Sequence, residues 1–200
     1  MDVQRKTAGE RERGSSWIEG LLTVAALGMA AVVAAGALNR IAGQSATRSL
    51  ASEVKALVAE AATRAVCERT YVGVVFSDSE NGVTARLYRD GDADGVKRED
   101  IRRGIDRPLG SARPLKQPWA RVGIPPEVRT DPAGNPLPPD DPVRFGKGNT
   151  WSFSPTFTAT PGTLYLRDAE GKEAWAFRAA GIDGRMRLYR WFKGTWTRWG

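Results

Sequence analysis

The sequence predicts an α+β protein in which one long amino-terminal α-helix packs against a carboxyl-terminal head of antiparallel β-strands. Two observations support this prediction. No proline occurs before Pro108, and the apolar residues of the first third recur at helical spacing. From Tyr71 onward, short β-branched and aromatic segments alternate with turns. The predicted parts are a leader at 1–14, a transmembrane helix at 15–38, an amphipathic helical stem at 39–70, and a β-rich head at 71–200 with a Pro-rich insert at 102–142.

The composition excludes several kinds of site. The chain has 200 residues, no His and one Cys. It therefore lacks a Ser-His-Asp or Cys-His nucleophile pair, a His-ligated zinc, a Cys cluster for zinc or iron–sulfur, and an intramolecular disulfide. Lys and Arg total 30 against 23 acidic residues, and the net charge of +7 permits a polyanionic partner without requiring one. We find no catalytic constellation and expect a protein that is not an enzyme.

The amino-terminal helix contains a long apolar run. Residues 21–38 carry no charge, although the mean hydropathy of the whole chain is −0.40. Counted from Trp17 the run has 22 residues, with Glu19 as its single charge. About 20 apolar residues cross a bilayer as a helix, and the basic residues ahead of them predict a cytoplasmic amino end. Three interpretations are open: a cleaved secretory signal, a plain signal anchor, or a span whose Glu19 needs a specific partner.

Gly14 stands directly before this run, and Glu19 lies five residues after it. The stretch GSSWIEGLLTVAALGMAAVVA resembles the class III signal of type IV prepilins and type II secretion pseudopilins. The resemblance implies that a prepilin peptidase cuts after Gly14, that Ser15 becomes the amino end, and that Glu19 is the fifth residue of the processed chain. Ser15 departs from the family, in which a Phe is usual and is N-methylated. Glu19 is then expected to pair with the Ser15 amino group of a neighbouring subunit and to set register during assembly.

The carboxyl half carries a second resemblance. SFSPTFTATPGTLYL and AWAFRAAGIDGRMRLYRW resemble the GspH/FimT type of minor pseudopilin, in which a late strand begins Gly-Arg-x-Arg, here Gly184 to Arg187. The resemblance implies a pilin-like fold and a structural subunit of the pilus or pseudopilus tip in a type II secretion or type IV pilus system. Its implied partners are other pilins or pseudopilins, the prepilin peptidase and an inner-membrane assembly platform. The implied location is the bacterial inner membrane, crossed once, with the amino terminus cytoplasmic and the head periplasmic.

The stem that follows the apolar run is predicted to be amphipathic. One long helix is expected from about Ser16 to Cys67, with Glu60 and Arg64 spaced for an i,i+4 ion pair. For Cys67, near its end, two interpretations are open: a buried free thiol or an intermolecular disulfide. The apolar residues that share one face of this helix are Leu50, Val54, Leu57, Val58, Ala61 and Ala65.

The head is predicted to be built from short strands. A β-hairpin is expected from 71–76 and 83–89, joined by a turn. The prolines of the insert argue against central strands there, and its structure is left unassigned. Further strands are predicted at 151–157, 163–168, 174–179 and 185–192.

The segment DGDADGVKRED, residues 90–100, matches the first half of a calcium loop. Three short acids at alternating positions followed by Gly converge readily on one hard cation. An EF-hand has Glu at its twelfth position, where Ile101 stands here. The alternatives are a weak calcium site, in a membrane-anchored calcium-binding β domain, or a solvated Asp-Gly turn. The candidate ligands are Asp90, Asp92, Asp94, the backbone carbonyl of Val96, and Asp100.

The last sixteen residues combine basic and aromatic side chains, a pattern that suits nucleic acid. One hypothesis is therefore a DNA-binding minor pilin that serves uptake. The other is a closing hairpin that turns at Lys193-Gly194. On this second hypothesis one face of the hairpin buries Met186, Leu188 and Trp191, and the arginines lie on the solvent-exposed face. The candidate polyanion-binding residues are Arg185, Arg187, Arg190, Lys193 and Arg198.

Overall fold

The computed structural model describes residues 6–180 and 184–199, with side chains for all of these except 6–16, 37–41 and 44. The chain divides into two compact units, Met1–Ala42 and Gly43–Gly200. Helix α1 runs from Lys6 to Glu68 and ends one residue beyond the predicted end. It begins before the predicted Ser16 because Lys, Ala, Glu and Arg predominate ahead of that residue, and all four favour a helix.

The first unit contains an apolar stretch of α1 with the length and composition of a membrane span. Residues Trp17–Gly36 form a 20-residue helical segment with mean hydropathy 2.0, none of it buried within the chain. Large apolar side chains such as Leu21, Leu27 and Val32 are about two-thirds exposed or more. In water such a surface is costly, so the segment is compatible with single-pass membrane anchoring.

The second unit is an α+β body in which the end of α1 packs against two antiparallel sheets, as the predicted fold class requires. All six predicted stem residues are buried, from Leu50 to Ala65. Ala61 and Ala65 are fully buried and belong to the same core as apolar residues of both sheets. The predicted Glu60–Arg64 pair is present at 3.0 Å. Cys67 is exposed, which excludes the interpretation as a buried thiol, and the intermolecular disulfide stays a prediction.

The first sheet has four strands in the order β3-β2-β1-β7. Its hairpin is the predicted one, because β1 and β2 pair from Val72↔Arg89 to Ser79↔Gly82 around a two-residue turn. Pro108 and Pro114 lie in β3 at the sheet edge, where a missing N–H removes no ladder bond. The strands are β1 (Val72–Ser79), β2 (Gly82–Arg89), β3 (Arg107–Pro114) and β7 (Thr150–Phe153).

The second sheet has the order β11-β10-β9-β8-β5-β4, with β6 also paired to β8. The strands predicted at 163–168, 174–179 and 185–192 appear as β8, β9 and β10, whereas the one predicted at 151–157 ends at Phe153, before a turn that contains Pro155. The strands are β4 (Lys116–Gln117), β5 (Ala120–Val122), β6 (Val143–Arg144), β8 (Gly162–Asp168), β9 (Glu173–Ala179), β10 (Met186–Phe192) and β11 (Thr195–Trp199).

The insert at 102–142 is an ordered part of the head. It contains the end of a short helix α2 (Arg98–Arg103) and the strands β3 to β5, of which β5 pairs with β8 inside the second sheet. Its apolar residues Ile124, Val128 and Leu137 form a second core with Tyr165 and Trp191. The insert therefore covers the face of the second sheet that does not contact α1.

Candidate functional site

The predicted processing segment lies in the first unit. Gly14 and Ser15 fall within α1, but their side chains lie outside the described residues. Glu19 is exposed inside the apolar span, and it forms no ion pair with a described residue. The hydroxyl of Thr23, one turn later, donates to the backbone carbonyl of Glu19. The carboxylate of Glu19 is thus available to a partner outside the chain.

The aspartate loop follows β2 directly. Carboxylate oxygens of Asp90, Asp92 and Asp94 lie within 4.8 Å of one another. Asp90 is buried and accepts hydrogen bonds from the backbone N–H groups of Asp92, Ala93 and Gly95 at 3.0–3.1 Å. The Asp90 carboxylate therefore shapes the loop, and the exposed carboxylates of Asp92 and Asp94 are brought beside it.

Two further groups hold this loop, and the sequence indicated neither interaction. The buried carboxylate of Asp106 accepts the backbone N–H of Gly91 at 3.1 Å and that of Lys97 at 2.9 Å. Loss of hydration raises the pKa of Asp106, and the Asp90 and Asp100 charges add to the rise against these two hydrogen bonds. The ammonium of Lys97 pairs with Asp94.

The other two candidate ligands have separate positions. Asp100 is buried in α2, and its carboxylate is not part of the group of three. Val96 packs its side chain against Gly73, where an added Cβ would lie 2.8 Å from the Cβ of Val96. Calcium binding, with the Val96 carbonyl as a ligand, stays a prediction.

The pKa shifts of the loop acids predict the direction in which pH changes the stability of the loop. Partial desolvation, a hydrogen bond with Asp90 and the charges of Asp94 and Asp100 raise the pKa of Asp92, whereas Lys97 lowers that of Asp94. A raised carboxyl pKa means that Asp92 contributes stability only at low pH, and this contribution is lost as pH rises through its folded-state pKa. At neutral pH without a cation, Asp92 therefore opposes folding.

We expect Asp92→Asn to raise the melting temperature at pH 7 in EDTA, because it removes one of three crowded charges. Millimolar calcium should raise the melting temperature of the native chain and leave that of Asp92→Asn unchanged. Thermal unfolding followed by circular dichroism measures both effects. Asp78→Asn, an exposed acid outside the loop, is the matched control. A native melting temperature equal in calcium and EDTA would refute the calcium hypothesis in favour of an Asp-Gly turn.

The terminal hairpin forms as expected but with different faces. β10 and β11 pair around Lys193-Gly194, both at positive φ, as a type I′ turn requires. Met186 and Leu188 are half-buried against the main core, as predicted. Trp191 packs in the second core on the opposite face. Its predicted face was wrong because residues 186 and 191 differ by an odd number along a strand.

Arg190 lies on the same face of β10 as Met186 and Leu188 and is engaged inside the head, and its place in the polyanion-binding set stays a prediction. Its guanidinium donates to the carboxylate of Glu173 at 2.8 and 3.2 Å. Glu173 is 2 % exposed and also accepts the indole N–H of Trp175 at 2.7 Å. The guanidinium carbon lies 5.2 Å from the ring centre of Phe192 and 5.6 Å from that of Trp199. Arg190 therefore joins the last two strands to β9.

The remaining basic candidates are exposed. Arg187 lies opposite Arg178 of β9, and Arg198 lies opposite Tyr189, all on the face that carries the second core. Asp131 lies 3.9 Å from the guanidinium of Arg178 and offsets part of the repulsion between Arg178 and Arg187. Binding of a polyanion by Arg185, Arg187, Lys193 and Arg198 stays a prediction that gel shifts of DNA at several salt concentrations test.

Gly184, the first residue of the Gly-Arg-x-Arg segment, occupies a position that accepts only glycine. Its φ is +59°, and an added Cβ would lie 2.0 Å from the carbonyl oxygen of Phe157. Only glycine satisfies both conditions.

Comparison of the chain with protein-family models, with curated proteins and with solved structures found no match.

Proposed function

We propose that this protein is a structural minor pseudopilin that assembles into the pilus or pseudopilus tip of a type II secretion or type IV pilus system. The observation that carries the proposal is Glu19, an exposed carboxylate inside the apolar span Trp17–Gly36, five residues after Gly14. A carboxylate inside a membrane-spanning segment is costly unless a partner neutralises it. A free amino group created by cleavage after Gly14 supplies that partner in the next subunit.

The head supports the proposal through its layout. The carboxyl-terminal part of α1 packs along two antiparallel sheets, and an earlier part of the same helix, Trp17–Gly36, is the apolar segment found among the described residues. This arrangement suits a subunit that is anchored in the inner membrane by one pass, with its amino terminus cytoplasmic and its head periplasmic. In this proposal the protein acts by assembly, as a peptidase substrate and not as an enzyme.

The assembly role predicts a specific effect of Glu19. In a strain that carries a type II secretion or type IV pilus system, Glu19→Gln should be cleaved and inserted normally. It should nevertheless be depleted from sheared filaments about tenfold or more, because the buried pair is lost. Immunoblots of the filament and membrane fractions measure this ratio, with Thr23→Ala as the control in the same span. Equal recovery of Glu19→Gln and native chain in filaments would contradict the proposal.

A further inference from the structure

A groove lies on the second unit between the stem part of α1 and the end of the second sheet. Its volume is about 460 Å³, within the range of cavities that bind specific ligands. One wall is formed by α1 and the floor by β9, β10 and β11. The lining residues are Arg48, Ala51, Ser52, Lys55, Trp175, Met186, Leu188 and Trp199.

The floor of this groove is apolar and partly uncovered. Trp199 is 44 % exposed and stands edge-on to the buried Trp175, with ring centres 5.3 Å apart. Met186 and Leu188 beside it are only half-buried. Arg190 holds Trp199 in place by stacking on its ring, and the Glu173 ion pair fixes Arg190 in turn. The floor is therefore a prearranged apolar surface without a covering element among the described residues.

The charges of the groove have a single sign. Arg48 and Lys55 are exposed and form no ion pair with a described residue, and no acidic residue of the described chain lines the groove. Arg48, Ala51, Ser52 and Lys55 follow one ridge of the helix at i, i+3, i+4 and i+7. At a rise of 1.5 Å per residue the backbone positions of Arg48 and Lys55 are about 10 Å apart along the axis.

We propose that this groove binds an acidic amphipathic helix of a partner protein. Its two carboxylates, two turns apart, would reach Arg48 and Lys55, while apolar side chains between them insert against Met186, Leu188 and Trp199. A second copy of this chain fits less well, since each copy carries a net charge of +7. The proposal is independent of filament assembly, because it depends only on residues of the second unit.

The test uses the full chain in detergent micelles and a labelled synthetic helical peptide. The peptide has Glu at positions i and i+7 and Leu at i+3 and i+4. We expect saturable binding by fluorescence anisotropy that weakens with added salt and that quenches or shifts tryptophan emission. Arg48→Glu/Lys55→Glu, at two exposed positions, should weaken binding about tenfold or more. Arg102→Glu/Arg103→Glu, on the separate helix α2, should bind as the native chain does.

Three results would overturn the proposal. The first is equal binding of a peptide in which Lys replaces both Glu residues. The second is unchanged affinity of the Arg48→Glu/Lys55→Glu chain. The third is no saturable binding of the acidic peptide to the native chain. If the native chain then self-associates in sedimentation and the double variant alters that association, the groove is assigned to a second copy. Because Glu19 and Gly14 are native in every variant, failure of the peptide to bind leaves the filament proposal standing.

Discussion

Replacing Arg190 with Met should lower the free energy of unfolding by about 3–5 kcal/mol, because it leaves the Glu173 carboxylate buried without its cation. Glu173 is 2 % exposed, and the indole N–H of Trp175 would be its remaining side-chain donor. The loss should be accompanied by a changed fluorescence of Trp199, whose ring Arg190 contacts. Urea unfolding of the full chain in detergent, followed by tryptophan emission, measures both.

Two variants control this experiment. Arg187→Met removes an exposed arginine from the same strand and should change stability by less than about 0.5 kcal/mol. The double variant Glu173→Gln/Arg190→Met removes both charges and keeps an oxygen that accepts the Trp175 indole N–H, so it should recover most of the loss. A double variant as unstable as Arg190→Met would show that packing of the arginine stem, and not the unpaired charge, causes the effect.

Gly184→Ala should also destabilise the head strongly. A left-handed conformation costs an L-residue about 1–2 kcal/mol, and the Cβ would lie 2.0 Å from the carbonyl oxygen of Phe157. Displacing that backbone adds about 1–3 kcal/mol. The same urea titration gives the change in unfolding free energy.

Gly194→Ala is the matched control for this second prediction. Gly194 has a φ of +85°, but nothing lies within 4 Å of its added Cβ. Its substitution should therefore show the conformational cost alone. If the two alanine variants lose the same stability, the close approach of Gly184 to Phe157 has no energetic role.

The periodic features of the sequence predicted the long helix and the first hairpin of the fold. Helical spacing identified the buried face of the stem, and alternation with a short turn identified the first hairpin. The sequence alone could have excluded the interpretation of Cys67 as a buried thiol. Successive residues turn by about 100° in a helix, so Cys67 lies far from the buried Ala65 around the axis.

Other features depended on contacts between distant segments. Glu173 meets Arg190 only because β9 and β10 pair in one register, and no local pattern encodes that register. The insert has few apolar residues, and these show no strand or helix period. Its anchors Ile124, Val128 and Leu137 become recognisable only once the sheet that they cover is known.

The structure of the aspartate loop was predicted only in part from the sequence. The spacing of Asp90, Asp92 and Asp94 predicted that three carboxylates converge, and they do so within 4.8 Å. The spacing did not reveal that Asp90 is already bonded to three backbone N–H groups. Nor did it reveal that Asp106 holds the loop from a later segment.

The most direct test of the proposed function is cleavage after Gly14. The tagged chain is expressed with an active prepilin peptidase, and its mass is measured against Gly14→Ala and the leader control Gly9→Ala. The pseudopilin assignment predicts loss of residues 1–14 from the native chain and from Gly9→Ala, and an uncut Gly14→Ala. An uncut native chain beside a fully processed known prepilin, or a cut near the end of the apolar run, would contradict it.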